Sequence, residues 1–486
     1  MRRGFLNSTP AKKRPNNPST AFTAHVGEQA SSAALEKPVI VPKGYEIKIN
    51  YVQGPEDPSN PATHIWTTLP RVHDEPNTEC LFLRGSEQII TGTPGFPRGL
   101  PPASSPPAFR RGHSPGKGLG LFSTRPIKQG DIILWERPLL IAPAGVPTKK
   151  LPPDCSEAQR AQHNLNEYER YIAIAVNRMT EDRRVAFMGL HNCHQKDGSG
   201  PFTGIIRTNG VGLSGLQPWV EDAKMSNYSA TLEHISRLNH SCSSNTQPRF
   251  DRATFAYKLY AVRDIAEGEE LTFHYLDVLV NKTKRAEILR PYAVVCTCTA
   301  CTENPTASDK RRSAIASFMP SVPVWAVNRE LSDDWLIKKS LQILEFIEKE
   351  KVEHVAMYSM VTCAVLDAYI CLGDRQNASK WAAKVMIRHR WAEEYKRVEE
   401  LLDPNSPAYM QHPLWRLRVD ENPTNDMGAM YKLMAEACGP GGITTMDNGV
   451  GLFTYTRGQE IPPETMRKMM AMVKKNEQQE IREGET

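Results

Sequence analysis

Three thiols separated by one and then two residues, in Cys296-Thr297-Cys298-Thr299-Ala300-Cys301, are the sharpest chemical signal in the chain. As thiolates they supply three corners of a tetrahedral Zn²⁺ site, and a closed structural site takes a fourth protein ligand. Cys242, in Asn239-His240-Ser241-Cys242, is the natural fourth. Of the ten cysteines, Cys80, Cys155, Cys363, Cys371 and Cys438 stand apart from this cluster, as small buried apolar residues do. A second group, His191-Asn192-Cys193-His194, has metal-competent side chains at a spacing too tight for any common site, so packing and loop polarity are expected there. In Gly116-Lys117-Gly118-Leu119-Gly120-Leu121-Phe122 the alternating glycines let backbone approach a ligand or simply turn. The run leads into strand-like residues rather than a helix and lacks the full Gly-x-Gly-x-x-Gly spacing, so it is no dinucleotide fingerprint.

The setting of these residues follows from composition. A chain of 486 residues, 40% hydrophobic and 24% charged, is an ordinary globular protein, which excludes wholesale disorder, collagen and coiled-coil arrays. The net charge of +5 is matched by Arg2, Arg3, Lys12, Lys13 and Arg14, all ahead of the first acid at Glu28, so the rest of the chain is balanced. A nucleic-acid binder carries its basic excess on the folded part, so direct nucleic-acid binding is not expected. No apolar run approaches the roughly 18 residues of a membrane span. The head lacks the apolar core of a secretory signal, which points to a reducing, nuclear or cytoplasmic compartment where clustered thiols hold metal. Lys12-Lys13-Arg14 reads either as a nuclear import signal or as a solvated charge run.

Residues 1–40, rich in Ser, Thr, Asn, Pro and Ala, read as a disordered basic head, and 41–108 as an accessory segment ending in a Pro-rich linker. Proline density over 91–116 argues against regular elements there. Leu121-Phe122 and Ile132–Trp135 are β-type runs separated by Lys128-Gln129-Gly130-Asp131, which has hairpin chemistry. Leu165, Tyr168, Ile172, Val176 and Met179 fall at helical spacing, so a helical insertion over about 155–190 interrupts a β region. Strand character returns at Ala253–Val262 and Leu271–Tyr275. A linker over 303–330 leads to a helical C-terminal region, 331–486, with a charged tail. There Ile337, Leu341, Leu344 and Ile347 mark one helix, Val355–Leu372 a second ending at Gly373, and Asn377 the start of a third over Ala378–Leu402.

Taken in order, Gly116–Phe122, Arg237-Leu238-Asn239-His240-Ser241-Cys242, Gly268-Glu269-Glu270-Leu271-Thr272-Phe273-His274-Tyr275 and Cys296–Cys301 resemble the SET-domain protein lysine methyltransferases. The stretch from Tyr275 through Arg290-Pro291-Tyr292 to the cysteines is most similar to the SMYD-like branch and its fungal SET relatives. Residues 109–302 carry the resemblance, as a SET plus post-SET domain. The zinc-binding MYND module of that branch has no counterpart here. The fold class expected is α+β: a β-rich SET domain with a helical insertion and a zinc-bound post-SET segment, followed by an all-α, tetratricopeptide-like C-terminal domain.

The resemblance implies S-adenosylmethionine and Zn²⁺ as cofactors and, as partner, a lysine-bearing protein or peptide, with no membrane involved and the chain itself expected to be a monomer. It implies that the cofactor lies on Lys117, Gly118 and Leu119, on Asn209 in Arg207-Thr208-Asn209-Gly210, and on Asn239-His240; that Tyr275 is catalytic; and that Tyr292 lines the lysine channel. Cys242, Cys296, Cys298 and Cys301 would hold the zinc. Relatives carry proline where Ser244 stands and an aromatic, packed on the cofactor, where Val294 stands. The implied reaction is methyl transfer to a protein lysine, histone or other. The alternative is an inactive SET and helical-repeat protein acting as an interaction scaffold. Methyl transfer from a sulfonium to an amine is an in-line displacement, so aligning the atoms and excluding water is the main task. An apolar aromatic channel favours the neutral, nucleophilic form of a lysine whose ordinary pKa is about 10.4.

Overall fold

The computed structural model describes residues 64–146, 154–213, 215–216, 228–389 and 396–419, with the backbone of 443–447 and 451–455. The basic head, Cys438 and the charged tail lie outside the described residues. The chain divides into two compact units, 1–312 and 313–486.

In the first unit, β1 (His64–Leu69), β2 (Thr78–Leu83) and α1 (Ser86–Thr91) precede β3 (Phe109–Ser114), β4 (Gly118–Ser123), β5 (Ile132–Glu136) and β6 (Leu140–Pro143). Three helices follow, α2 (Glu157–Arg178), α3 (Glu181–Met188) and α4 (Pro201–Asn209). Then come β7 (Val211–Leu213), β8 (Tyr228–Thr231), β9 (Asn239–His240), β10 (Thr246–Asp251), β11 (Ala256–Ala261), β12 (Glu270–Phe273), α5 (Lys282–Leu289) and α6 (Thr299–Thr302). The strands form three sheets, ordered β1-β2-β6-β8-β7, β10-β11-β5 and β3-β4-β12-β9.

The helices α2 to α4 lay an apolar face over the first sheet. Tyr168, Ile172 and Val176 of α2 and Ile205 and Ile206 of α4 are buried with Leu81 and Leu140. Ser156 opens α2 with a capping box to Gln159, and the Tyr168 hydroxyl donates to the Pro143 carbonyl at 2.9 Å. The insertion runs past the expected 190 to Asn209. Gly198, Gly200 and Pro201 masked its last helix in the sequence, although proline at the first helical position starts a helix rather than ending one.

Several other expectations are corrected. The accessory segment is not separate, because β2 is fully buried and pairs in parallel with β6. Phe109–Ser114 forms a strand inside the Pro-rich stretch: the flanking prolines stop at Pro107 and resume at Pro115, in the turn before β4. The Lys128–Asp131 turn joins no hairpin, since β4 pairs with β12 while β5 pairs with β11. A chain reversal there only moves the backbone from one sheet to another.

The second unit begins within α7 (Pro305–Ser317) and holds α8 (Val322–Val327), α9 (Trp335–Glu350), α10 (Ala356–Cys371), α11 (Arg375–His389), α12 (Lys396–Glu399) and α13 (Ala408–Gln411). Its core gathers Trp325, Leu336, Val365, Ile370, Ala382 and Tyr409. The expected linker over 303–330 is thus largely helical; α7 carries almost no apolar periodicity and so gave no signal. Leu341 is 40% exposed and lies off the core face that Ile337, Leu344 and Ile347 occupy. Gly373 (φ +72°) ends α10 as expected, but Asp374, not Asn377, opens α11: its carboxylate accepts the Asn377 N–H at 3.0 Å. α11 ends at His389 rather than continuing to Leu402. β13 (Ile443–Asp447) and β14 (Gly451–Tyr455) pair antiparallel in a region expected to be helical throughout. Their β-branched and aromatic residues, around Asn448-Gly449 in sequence, explain the difference.

Candidate functional site

The Gly-rich run is the end of a hairpin. β3 and β4 pair from Phe109–Ser123 to Ser114–Gly118, and the Lys117 N–H donates to the Ser114 carbonyl at 3.0 Å. Gly116 (φ +72°) and Gly118 (φ +80°) supply left-handed backbone, and a Cβ on either would meet open space. A Cβ on Gly120 would instead lie 2.8 Å from Glu270 Oε1 and 2.9 Å from Asn239 Nδ2. The glycines therefore leave one side of the turn clear for a ligand while letting Asn239 pack close on the other. Leu119 is 55% exposed at this edge.

β9 is positioned from both ends. Before it, the Glu136 carboxylate at the end of β5 accepts the His234 and Ile235 N–H groups at 2.8 and 2.9 Å, fixing the turn that leads to Leu238. Burial raises that carboxyl, with the charge of His234 opposing. β9 itself lies parallel to β12, Asn239 beside Thr272 and His240 beside Phe273. After it, Arg312 donates to the Cys242 carbonyl at 3.1 Å, and Arg263 to the Ser243 and Ser244 carbonyls at 2.9 and 2.6 Å. Two guanidinium groups thus hold the turn over Cys242–Ser244.

Lys117 and Asn239 meet on one carboxylate. Glu270 accepts from Lys117 Nζ at 3.0 Å and from Asn239 Nδ2 at 2.8 Å, and Asn239 also donates to the Leu119 carbonyl at 3.3 Å. His240 is buried and both ring nitrogens are engaged: Nδ1 accepts the Tyr275 N–H at 3.1 Å and Nε2 faces Cys242 Sγ at 3.4 Å. Burial lowers its pKa. The Tyr275 hydroxyl donates to the Leu238 carbonyl at 2.7 Å. The Tyr275 ring lies 5.2 Å from that of His240 and 5.6 Å from that of Tyr292, a buried aromatic group.

Asn209 sits farther back, at the end of α4. Its amide nitrogen donates to the His191 and Ile205 carbonyls at 2.6 and 2.8 Å, and its own carbonyl accepts from Ser236 just before β9. Val294 is half-buried, following Ala293 in left-handed backbone at φ +54°, while its neighbour Val295 is 85% exposed.

The four cysteines converge. Cys242, Cys296, Cys298 and Cys301 place their sulfurs within 4.8 Å of one another. Cys242 Sγ is 3.7 Å from both Cys296 Sγ and Cys301 Sγ. Four sulfurs at a Zn–S length of about 2.3 Å on a tetrahedron stand roughly 3.8 Å apart, so the spacing fits that ion. The hydrogen bond from Cys242 holds Cys296 well below the ordinary thiol range, and the same bond raises Cys242. Arg285, 1% exposed, donates toward Cys301 Sγ at 3.8 Å and pairs with Asp309 at 3.1 Å. A buried guanidinium there offsets the surplus negative charge that four thiolates leave around a divalent ion.

Sequence reasoning missed Glu270, although it quoted the run that contains it, and missed Arg285 and Arg312. The 191–194 group, expected to serve packing or loop polarity, lies in a loop that holds a charged network. His194 Nδ1 lies 2.6 Å from Asp197, which Arg207 also engages at 2.7 Å.

Residues 118–276 match the SET domain family model. The histone-lysine N-methyltransferase set5 of Schizosaccharomyces pombe is 26% identical over 282 residues, covering 56% of this chain and 74% of that protein. The human histone-lysine N-methyltransferase SMYD3 is 30% identical over 162 residues, 32% of this chain and 37% of its own length. The zebrafish N-lysine methyltransferase SMYD2-B is 33% identical over 142 residues, 28% of this chain and 32% of its own length. The match therefore spans about a third of the vertebrate relatives. Among the described residues, no helix is long and apolar enough to cross a membrane.

Proposed function

We propose that this chain, with its SET domain over 118–276 and its similarity to SMYD and fungal SET5 proteins, transfers a methyl group from S-adenosylmethionine to a protein lysine. The observation that carries the reading is the link through His240: one buried ring ties the strand Asn239-His240 to the Tyr275 backbone and to the cysteine cluster.

When bound, the cofactor supplies an electrophilic methyl on a sulfonium. The chain's part is to align and to exclude water. The open side of the Gly116–Gly118 turn, the exposed Leu119 edge and Asn239 would hold the cofactor; Asn209 would contribute from the end of α4, and Val294 would cover it in place of an aromatic. Tyr275 and Tyr292, both buried, would flank the substrate lysine in apolar surroundings that favour its neutral amine. The Tyr275 hydroxyl, already aimed at a backbone carbonyl, would orient the amine. Zinc on Cys242, Cys296, Cys298 and Cys301 would be structural, closing the segment that carries Tyr292 and Val294.

Histone lysines are the first substrate class to test, since two of these relatives are named for them, with the nucleus or cytoplasm as the setting. The helical C-terminal unit, read as tetratricopeptide-like, would select the protein that presents the lysine. Calorimetric titration with S-adenosylmethionine, followed by transfer of a labelled methyl to histones and to a mixed protein extract, tests the reading. One cofactor bound per chain and label on lysine support it; no binding at millimolar cofactor rejects it.

A further inference from the structure

A buried cation stands against the cysteine cluster. Arg285 lies one turn into α5, where Asn281 opens the helix by accepting the Lys284 N–H at 2.9 Å. Its side chain is 1% exposed and its donors divide: Nη1 reaches the Val280 carbonyl and, at 3.1 Å, Asp309 Oδ1, while Nη2 lies 3.8 Å from Cys301 Sγ. Its Nε is buried without a hydrogen-bond partner. Burying a guanidinium with a donor left over is costly unless negative charge lies close by, and the sulfurs are the groups that can carry that charge. Asp309 fixes the aim. Its carboxylate, on α7, also accepts the Lys282 N–H at 3.0 Å from each oxygen, which ties the first turn of α5 to α7 and leaves the fork directed at Cys301.

We propose that Arg285 is a positioning residue of the metal site: it donates to the Cys301 thiolate, and through that bond it sets how tightly the four cysteines hold zinc. The inference rests on zinc binding at Cys242, Cys296, Cys298 and Cys301, which belongs to the proposed function. Four thiolates around a divalent ion leave an excess of negative charge, and a charged donor on one sulfur draws part of it away from the metal. A planar fork can do this while still serving Asp309 and the Val280 carbonyl; a lysine ammonium shares the charge but not that geometry. With the thiols protonated and no metal bound, the same guanidinium would face neutral sulfurs. Metal binding and the burial of Arg285 therefore favour each other.

Arg312, one turn after Asp309 on α7, meets the cluster at its backbone, donating to the Cys242 carbonyl at 3.1 Å and to the Val278 carbonyl at 2.8 Å. The helix that the sequence presents as linker thus backs the cluster twice, at Cys301 through Arg285 and at Cys242 directly. The two arginines differ in what they act on. Arg285 acts on the electrons of a ligand sulfur, Arg312 on the place of a ligand's main chain, and the first kind of action changes the electronic state of a metal bound there.

The test titrates the full chain, loaded with zinc, against a chelator of known affinity, and records the sulfur-to-metal charge-transfer band of the same chain loaded with Co²⁺. Arg285→Gln is expected to hold zinc about tenfold or more weakly. Its cobalt band is expected at longer wavelength, because a thiolate that loses its donor gives up an electron more readily. Arg285→Lys, which keeps the charge, should fall between Arg285→Gln and the wild type in both readings. Should Arg285→Gln misfold, Asp309→Asn releases the fork from its anchor at a side chain that is 25% exposed, and it is expected to move both readings in the same direction. Either an unchanged zinc affinity or an unshifted cobalt band in a folded variant overturns the inference; weaker zinc binding with an unshifted band would make Arg285 a prop for the fold alone. A wild type that binds neither metal at these cysteines overturns the zinc reading and the inference with it, whereas zinc held equally by wild type and variant overturns the inference and leaves the zinc reading standing.

Discussion

The Nδ1 of His240 accepts the backbone N–H of Tyr275 at 3.1 Å, so the residue that follows Asn239 sets the height of the tyrosine at the end of β12. Because Nε2 of the same ring faces Cys242 at 3.4 Å, a change at the cysteine cluster reaches Tyr275 through a single side chain. Removing zinc is therefore expected to lower methyl transfer as well as stability. Structural zinc contributes on the order of 10 kcal/mol in small domains. Metal analysis should give one zinc per chain, and Cys298→Ser should lose both the metal and protection of residues 290–302 from proteolysis. Metal-free protein with the same protease resistance would remove the cluster from the account.

Tyr275→Phe is expected to bind S-adenosylmethionine as the wild type does and to turn over about a hundredfold or more slowly, by analogy with the loss of one transition-state hydroxyl. It also removes the hydrogen bond from the Tyr275 hydroxyl to the Leu238 carbonyl, at a net cost of about 1 kcal/mol. Thermal unfolding measured beside turnover separates the two effects. Equal turnover by variant and wild type would rule out the assigned role.

How much of this was visible in the sequence depended on range. The glycine turn, the Asn239-His240 pair and the Cys-x-Cys-x-x-Cys run are local, and each residue type is tied to its job by a short-range constraint. What was hidden depends on pairing between distant strands. Glu270 reaches Asn239 only because β9 lies parallel to β12, a register that no local period encodes. Arg312 reaches Cys242 across 70 residues, from a helix whose polar composition looked like linker. Phe109–Ser114 was obscured by its proline neighbours, since proline excludes itself from a ladder but not the residues between two prolines.

Glu270→Ala should separate cofactor binding from the rest of the site. The substitution frees Lys117 and Asn239 together, while the buried aromatic pair is not touched. Because the carboxylate positions both groups, the variant should bind S-adenosylmethionine about tenfold more weakly, as expected when one partner of a charge-assisted pair is lost. Its turnover at saturating cofactor should stay near that of wild type. A fall in turnover at saturation with unchanged affinity would place Glu270 in a different role.

The last prediction concerns the second unit and pH. Asp367, on α10, is pushed by burial up to about 7. In the unfolded chain the same carboxyl ionises near 4. Between about pH 4 and 7 the folded state therefore holds a proton that the unfolded state releases, so stability falls as pH rises through this window and levels off above it. Asp367→Asn keeps the shape and removes the titration. Scanning calorimetry of the full chain at pH 5, 6, 7 and 8 should show the unfolding of the C-terminal unit moving to lower temperature with pH in the wild type and moving less in the variant. At pH 8 Asp367→Asn should unfold at the higher temperature of the two, because the wild type then ionises a half-buried carboxyl whose surroundings disfavour the charge. Parallel pH profiles for the two proteins would mean that Asp367 is solvated in the fold and that burial does not control it.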